Sequence, residues 1–240
     1  MRKLFGSMVA GAIVIVFGLA ALPAFAGNSR LVEFAKEAPG IEAKAFSSLV
    51  GNWHMDRYGA RAVYAADGRN WEQGLLSAGA KDKARSLYGE KAIEFLSGLE
   101  AYRYFPLSIC KGCKGVRNGS IQVSFEPISG RIDQAAGIAF DIRPNGNYLV
   151  VRANALENNL VLFKMEGGRR STLQWARDVP TPSNRWHTLK VIINGKRIGG
   201  YLNNRKFIDY TWDQRIDGRI GLWSKADSYV FFDNFSVEPR

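Results

Sequence analysis

The sequence is poor in the residues that most often hold metals and redox groups. It contains 2 cysteines and 2 histidines in 240 residues. The cysteines, Cys110 and Cys113, stand in ICKGCKG, far along the chain from His54 and His187. A zinc site needs about four nitrogen or sulfur ligands close together, and a c-type haem needs histidine where this chain has Lys114. We therefore expect no metal held by these residues.

The cysteine pair has a simpler interpretation. In an oxidising compartment a pair with this spacing predicts a short-loop disulfide between Cys110 and Cys113. A thioredoxin-type redox pair would stand at the start of a helix, whereas a strand pattern follows this pair. Two free thiols are the remaining alternative.

The first 26 residues, MRKLFGSMVAGAIVIVFGLAALPAFA, indicate a secretory signal peptide. Arg2 and Lys3 precede an apolar stretch, which ends at the small-x-small pattern Ala24-Phe25-Ala26. The apolar stretch is shorter than the ~20 residues of a transmembrane helix. We expect cleavage near Gly27, no membrane anchor afterwards, and a periplasmic or extracellular location.

Positive charge exceeds negative charge, with 33 Lys and Arg against 22 Asp and Glu. Such an excess is compatible with acidic partners, such as anionic glycans, envelope polymers or nucleic acid. The basic residues are nevertheless scattered in small groups, which favours a solvated surface, and the sequence contains no specific nucleic-acid-binding motif. The groups are Lys81/Lys83/Arg85, Lys111/Lys114/Arg117, Arg169/Arg170 and Lys196/Arg197.

Hydrophobic periodicity predicts a mainly β chain with one helical part. Residues 29–38 are compatible with a short opening helix, and apolar residues recur at helical spacing over 80–104. About ten short alternating strands joined by turn dipeptides follow the cysteines. The region 27–240 is therefore predicted to be one domain, a two-sheet antiparallel sandwich with a helical insertion near 80–104.

Two stretches carry a resemblance to a known superfamily: RWHTLKVIINGKRIGGYLNN and GRIGLWSKADSYVFFDNFSV. Together with the strands before them, over 115–238, they resemble the concanavalin A-like and laminin-G-like jelly rolls. More narrowly, they are similar to a bacterial domain of unknown function called the 3-keto-disaccharide hydrolase domain. The resemblance implies a jelly-roll sandwich and a function connected with carbohydrate.

Catalysis by the mechanism of the superfamily's laminarinase-like enzymes is not expected. Those enzymes carry E-x-D-x-E on one strand, which sets the carboxylates on one face, and this chain has no such pattern. Cleavage of a 3-keto sugar requires less, namely one base and a group that stabilises an oxyanion. The candidates for catalysis are Asp141, Glu157 and His187, each of which also has an ordinary structural interpretation, with Arg152 as a charged partner.

Sugar binding usually combines an aromatic platform with polar partners. The ligand-binding candidates are Arg152, Asn154, Asn158, Trp175 and Trp223. Trp175 lies in a polar stretch and is expected to be exposed, whereas tryptophans in a sandwich are more often part of the core.

The closing run contains two aspartates with expected structural roles. Asp227 lies in a turn and should accept bonds from backbone amides. Asp233 alternates with aromatic residues, so it is either held by backbone or arginine donors or belongs to a ligand or calcium site at the sheet edge.

Three functions are thus open: a non-catalytic glycan-binding module, a glycoside-cleaving enzyme of the 3-keto-disaccharide type, and a laminin-G-like protein-interaction module. The sequence does not settle whether the protein is an enzyme. We expect the protein to bind no cofactor; Ca²⁺ at a sheet edge is the alternative that stays open.

Overall fold

A computed structural model describes residues 29–70, 75–113 and 115–240. The predicted signal peptide, residues 1–26, lies outside the described residues. Within the described ranges no helix is both long enough and apolar enough to cross a bilayer.

The described chain forms two antiparallel sheets that pack as a sandwich, as predicted. The eight-stranded sheet contains β1 (Arg30–Val32), β3 (Trp53–Tyr58), β4 (Arg61–Asp67), β6 (Asn118–Ser129), β11 (His187–Asn194), β12 (Arg197–Leu202), β13 (Arg205–Thr211) and β15 (Tyr229–Pro239). The seven-stranded sheet contains β2 (Phe46–Val50), β5 (Leu107–Cys110), β7 (Ala135–Ile142), β8 (Tyr148–Asn154), β9 (Asn159–Glu166), β10 (Arg169–Ala176) and β14 (Arg219–Ser224).

Strand order brings distant parts of the sequence together. The seven-stranded sheet runs β10-β9-β8-β7-β14-β5-β2, and the main path of the other sheet runs β13-β12-β11-β6-β15-β4-β3. The last strand, β15, pairs with β6, β4 and β1. Each sheet therefore depends on contacts between residues far apart in sequence.

The prediction of an opening helix over 29–38 is wrong. The segment instead contributes β1, whose Arg30 pairs with Val237 and whose Val32 pairs with Phe235. Val32 and Phe34 are buried while Leu31 is exposed, which is the alternation of an extended chain. Pairing with β15 and burial of this face outweigh the local helical preference.

The main core lies between the sheets. On β6, for example, Ile121, Val123 and Phe125 point inward and are fully buried. Burial of an aliphatic or aromatic side chain of this size stabilises the fold by about 1.5–3 kcal/mol. The strand alternation predicted from sequence is thus what builds the core.

The helical insertion spans Ala80 to Tyr102 and packs on the outer face of the seven-stranded sheet. It contains α1 (Ala80–Tyr88) and α2 (Ala92–Leu99), each followed by a short 3₁₀ turn. Its side chains form a second core with outer-face residues of the sheet, including Tyr148 and Trp223. The insertion covers the part of the face towards the β7–β8 hairpin, where Gly98 touches the backbone of Asn145.

Candidate functional site

The outer face of the seven-stranded sheet carries a row of residues from neighbouring strands. Strand register aligns Trp223 with Gly137, Gly137 with Arg152, Arg152 with Val161, and Val161 with Trp175. Neighbouring strands lie about 4.8 Å apart, so the Arg152 and Trp175 backbones are separated by ~10 Å. Two of the predicted ligand-binding residues, Arg152 and Trp175, therefore lie on the same face of the sheet.

Arg152 is a buried cation held by its neighbours. Its Nη1 donates to Glu157 Oε2 at 3.1 Å and to Asn159 Oδ1 at 2.7 Å. Asn159 Nδ2 in turn donates to the same Glu157 oxygen at 2.8 Å. The Arg152 side chain is 3% exposed, whereas that of Glu157 is 37% exposed. One edge of this network therefore reaches solvent through the carboxylate.

A second buried charge pair lies at the same end of the sheet. Asp133 is completely buried; its Oδ1 accepts from Asn154 Nδ2 at 2.8 Å and from Lys225 Nζ at 2.9 Å. Lys225 also lies 2.8 Å from Asp133 Oδ2. We name the six residues of both networks the polar cluster: Asp133, Arg152, Asn154, Glu157, Asn159 and Lys225.

Burial and neighbouring charge shift the pKa values of Arg152 and Glu157 in opposite directions. Burial lowers the pKa of Arg152 below its ordinary value, although Glu157 favours the charged form. Burial also disfavours ionised Glu157, but bonds from Asn159 and the charge of Arg152 outweigh it and lower the carboxyl pKa. Arg152 Nε is buried without a hydrogen-bond partner in the described structure. The arginine retains an unused donor.

Trp175 supplies an exposed aromatic ring beside this cluster. Its side chain is 51% exposed, and the Arg177 guanidinium lies 5.3 Å from its ring centre. On the same strand, Arg170 lies 4.8 Å from the Phe163 ring. The exposure agrees with the sequence-based expectation for Trp175.

Other predicted ligand-binding residues are engaged within the fold. Trp223 is completely buried, donates to the Tyr148 hydroxyl and stacks on Phe105, so the expectation that its ring meets a ligand is corrected. Asn158 accepts a bond from the Thr181 backbone and so positions a loop. Asn154 binds Asp133 within the polar cluster.

Two of the three catalytic candidates lie away from the polar cluster. Asp141 is buried. Arg143 donates to one of its carboxylate oxygens, and the Asp217 and Gly218 backbone amides donate to the other. His187 is buried in the sandwich, where Nε2 lies 2.9 Å from the Pro182 carbonyl oxygen. Glu157 alone joins the site.

The structural residues predicted in the closing run have the expected contacts. Asp227 accepts bonds from the backbone amides of Arg131, Ile132 and Asp133. Asp233 forms an ion pair with Arg61 and accepts the Asn234 amide.

Cys110 and Cys113 are joined by a disulfide. In the described ranges, no group of three or more His, Cys, Asp or Glu side chains is arranged to hold a metal ion.

Sequence reasoning missed Asp133, Asn159 and Lys225. Asp133 and Lys225 are separated by 92 residues, and no local pattern links them. Lys225 stands two residues before Asp227, for which the sequence predicts a turn, but no sequence pattern indicates that Lys225 pairs with Asp133.

Comparison with known proteins identifies the fold. No family model matches the sequence, and no curated protein matches it. Among solved structures, the chain resembles the carbohydrate binding module CBM66 from Bacillus subtilis, with 16% identity and a TM-score of 0.57, over 83% of this chain and 97% of that one.

Two further solved structures resemble the chain over most of its length. A Bacillus subtilis protein of unknown function with a galectin-like fold is 14% identical, with a TM-score of 0.52, over 88% of this chain and 100% of that one. The Bacillus licheniformis beta-glucanase is 11% identical, with a TM-score of 0.53, over 90% of this chain and 99% of that one. The described chain therefore has the concanavalin A-like jelly-roll fold.

Proposed function

We propose that the protein is an exported glycan-binding module that uses the outer face of the seven-stranded sheet. The observation that carries the proposal is the register that sets exposed Trp175 two strands from buried Arg152. The predicted signal peptide supports export, and the resemblance to a carbohydrate-binding module supports the ligand class.

The arrangement suits the two surfaces of a sugar ring. A pyranose ring has an apolar face that stacks on an aromatic side chain and a polar edge that needs hydrogen bonds. Trp175 offers the ring, and the exposed edge of Glu157 offers an acceptor held by Arg152 and Asn159. Because the cluster is fixed before binding, little ordering entropy is lost there.

A glycan array followed by calorimetry on purified protein tests this proposal. We expect Trp175→Ala to weaken binding by about tenfold or more, which is about 1.4 kcal/mol. Tyr58→Ala is the matched control, since this exposed ring lies on the other sheet. Equal losses in both variants would contradict the assignment of this face. No glycan binding at all would favour a laminin-G-like role in protein interaction.

A second candidate is a glycoside-cleaving enzyme of the 3-keto-disaccharide type, favoured by Glu157. This ionised, partly exposed carboxylate could remove the proton from the carbon between the keto group and the glycosidic carbon, and Arg152 would stabilise the resulting enolate. Return of the enolate electron pair would then break the glycosidic C–O bond, and the leaving oxygen would take a proton from solvent. Incubation with a 3-keto disaccharide should then release reducing sugar. Glu157→Gln should abolish the release while leaving binding measurable, whereas release that survives in this variant rejects Glu157 as the base.

A further inference from the structure

A cleft of about 910 Å³ lies at the end of the seven-stranded sheet away from the polar cluster. Its walls come from the helical insertion, the disulfide loop at 111–113, the β7–β8 hairpin and the loop 214–219. It is near the pairing of Arg219 with Ile142, whereas the polar cluster lies near Asn154 at the opposite end of β8. The two sites are distinct.

Positive charge dominates the cleft. Among the residues that the structure describes, the charged ones that line the cleft are Lys91, Glu94, Lys111, Arg143, Arg215, Asp217 and Arg219. Two of the arginines are neutralised, because Arg143 binds buried Asp141 and Arg215 lies 2.8 Å from Asp217. Within this described set, the remaining cations therefore outnumber the remaining carboxylate by three to one.

The three remaining cations are available to a ligand. Lys91 and Lys111 are exposed, and neither has an ion-pair partner in the described part of the chain. Arg219 donates to the Leu87 carbonyl and lies 5.1 Å from the Tyr88 ring centre, so its position is fixed without a carboxylate. A fixed guanidinium and two exposed ammonium groups that line the same cleft provide donors for separate oxyanions.

The disulfide positions one of these cations. Cys110 and Cys113 close the short loop that carries Lys111, and Cys113 itself lines the cleft. The Lys111 amide also donates to the Ala45 carbonyl at 2.9 Å. The ICKGCKG motif thus holds a lysine at the rim of the cavity.

We propose that this cleft binds an anionic ligand of oligosaccharide size that carries two or more carboxylate, sulfate or phosphate groups. The volume lies within the range of about 300–1,000 Å³ that is usual for ligand pockets. Tyr88, Ile142 and Pro144 supply apolar wall for the body of the ligand. The inference is independent of the Trp175 surface, since no residue of that surface lines the cleft.

Calorimetry at low salt tests the proposal with four probes: tetragalacturonate, a heparin-derived tetrasaccharide, tripolyphosphate and neutral maltotetraose. We expect at least one anionic probe to bind, the neutral sugar not to bind in the cleft, and affinity to fall as salt is raised. The probe that binds identifies the anionic group. Absence of binding by all three anions would overturn the proposal.

Paired variants locate the binding. Lys91→Ala/Lys111→Ala should lower the affinity for the anionic probe by about tenfold or more. Arg185→Ala/Lys190→Ala removes the same charge outside the cleft and should have little effect. Equal weakening by both pairs would show general electrostatic attraction and overturn the site.

A last pair of variants separates this site from the glycan-binding face. Cys110→Ser/Cys113→Ser should weaken binding of the anion without changing binding of a neutral glycan. Trp175→Ala should weaken binding of the neutral glycan without changing binding of the anion. Unchanged anion affinity in the serine variant would reject the role of the disulfide loop.

Discussion

The two ends of the outer face of the seven-stranded sheet differ in whether their charged side chains are buried and paired. At one end Asp133 and Arg152 are buried and paired within the polar cluster. At the other end Lys91 and Lys111 are exposed and unpaired around the described cleft. Arg152 lies on β8 and Asp133 just before β7, whereas Lys91 lies in the 3₁₀ turn after α1 and Lys111 in the loop after β5. The exposed cations therefore belong to segments that border the sheet. Buried charge requires partners within the fold, whereas exposed charge can receive them from a ligand.

The largest expected loss of stability comes from removing the buried Asp133 carboxylate of the polar cluster. Asp133→Ala leaves Lys225 and Asn154 without their shared acceptor, and we expect a loss of about 3–5 kcal/mol in the free energy of unfolding. Urea denaturation measures this loss.

The matched variant at the cleft end is Asp217→Ala, since the Asp217 side chain is 44% exposed. Its loss should be within about 1 kcal/mol. Similar losses for Asp133→Ala and Asp217→Ala would show that the two ends do not differ as the structure indicates.

The fold was largely predictable because its signals are local. The alternation along β6 predicted a strand with one buried face, and the helical spacing over 80–104 predicted the insertion. The opening segment was missed because alternation over Val32 and Phe34 is too short to outweigh a helical pattern. Only its pairing with β15, more than 200 residues away, makes it a strand.

The candidate site was only partly predictable. Arg152, Glu157 and Trp175 were recognised by residue type, and their shared face follows from strand register. The register could not be read from the sequence, because it depends on a bulge in β10 between Thr172 and Gln174. The charge balance of the cleft was likewise hidden, since its residues come from separate segments.

The second prediction concerns the helical insertion, which forms one wall of the cleft. Gly98→Ala in α2 would place a Cβ atom 2.2 Å from the Asn145 carbonyl oxygen and 2.9 Å from the Gly146 Cα. We expect a loss of about 1–3 kcal/mol from this overpacking. Helix propensity alone predicts a gain of up to ~1 kcal/mol, so the sign of the change is diagnostic.

Ser97→Ala is the control, because the neighbouring Ser97 is exposed on the same helix. Thermal unfolding of both variants decides the matter. A more stable Gly98→Ala protein would mean that the insertion does not pack tightly on the β7–β8 hairpin.

The smallest expected effect concerns pH and returns to the buried end. Burial opposes ionisation of Asp227, but the three backbone amides at Arg131, Ile132 and Asp133 outweigh it and lower the pKa of this carboxyl below its ordinary value of 3.8. A lowered folded-state pKa stabilises the fold above the unfolded-state pKa, and this contribution disappears as pH falls through the folded-state pKa.

Asp227→Asn should therefore cost about 1 kcal/mol at neutral pH, because an amide cannot accept from all three backbone donors. The difference between the two proteins should shrink as pH falls below 3.8. Urea denaturation across this range measures it. A difference that stays constant with pH would assign the role of Asp227 to the shape of its turn, because charge is what makes the contribution depend on pH.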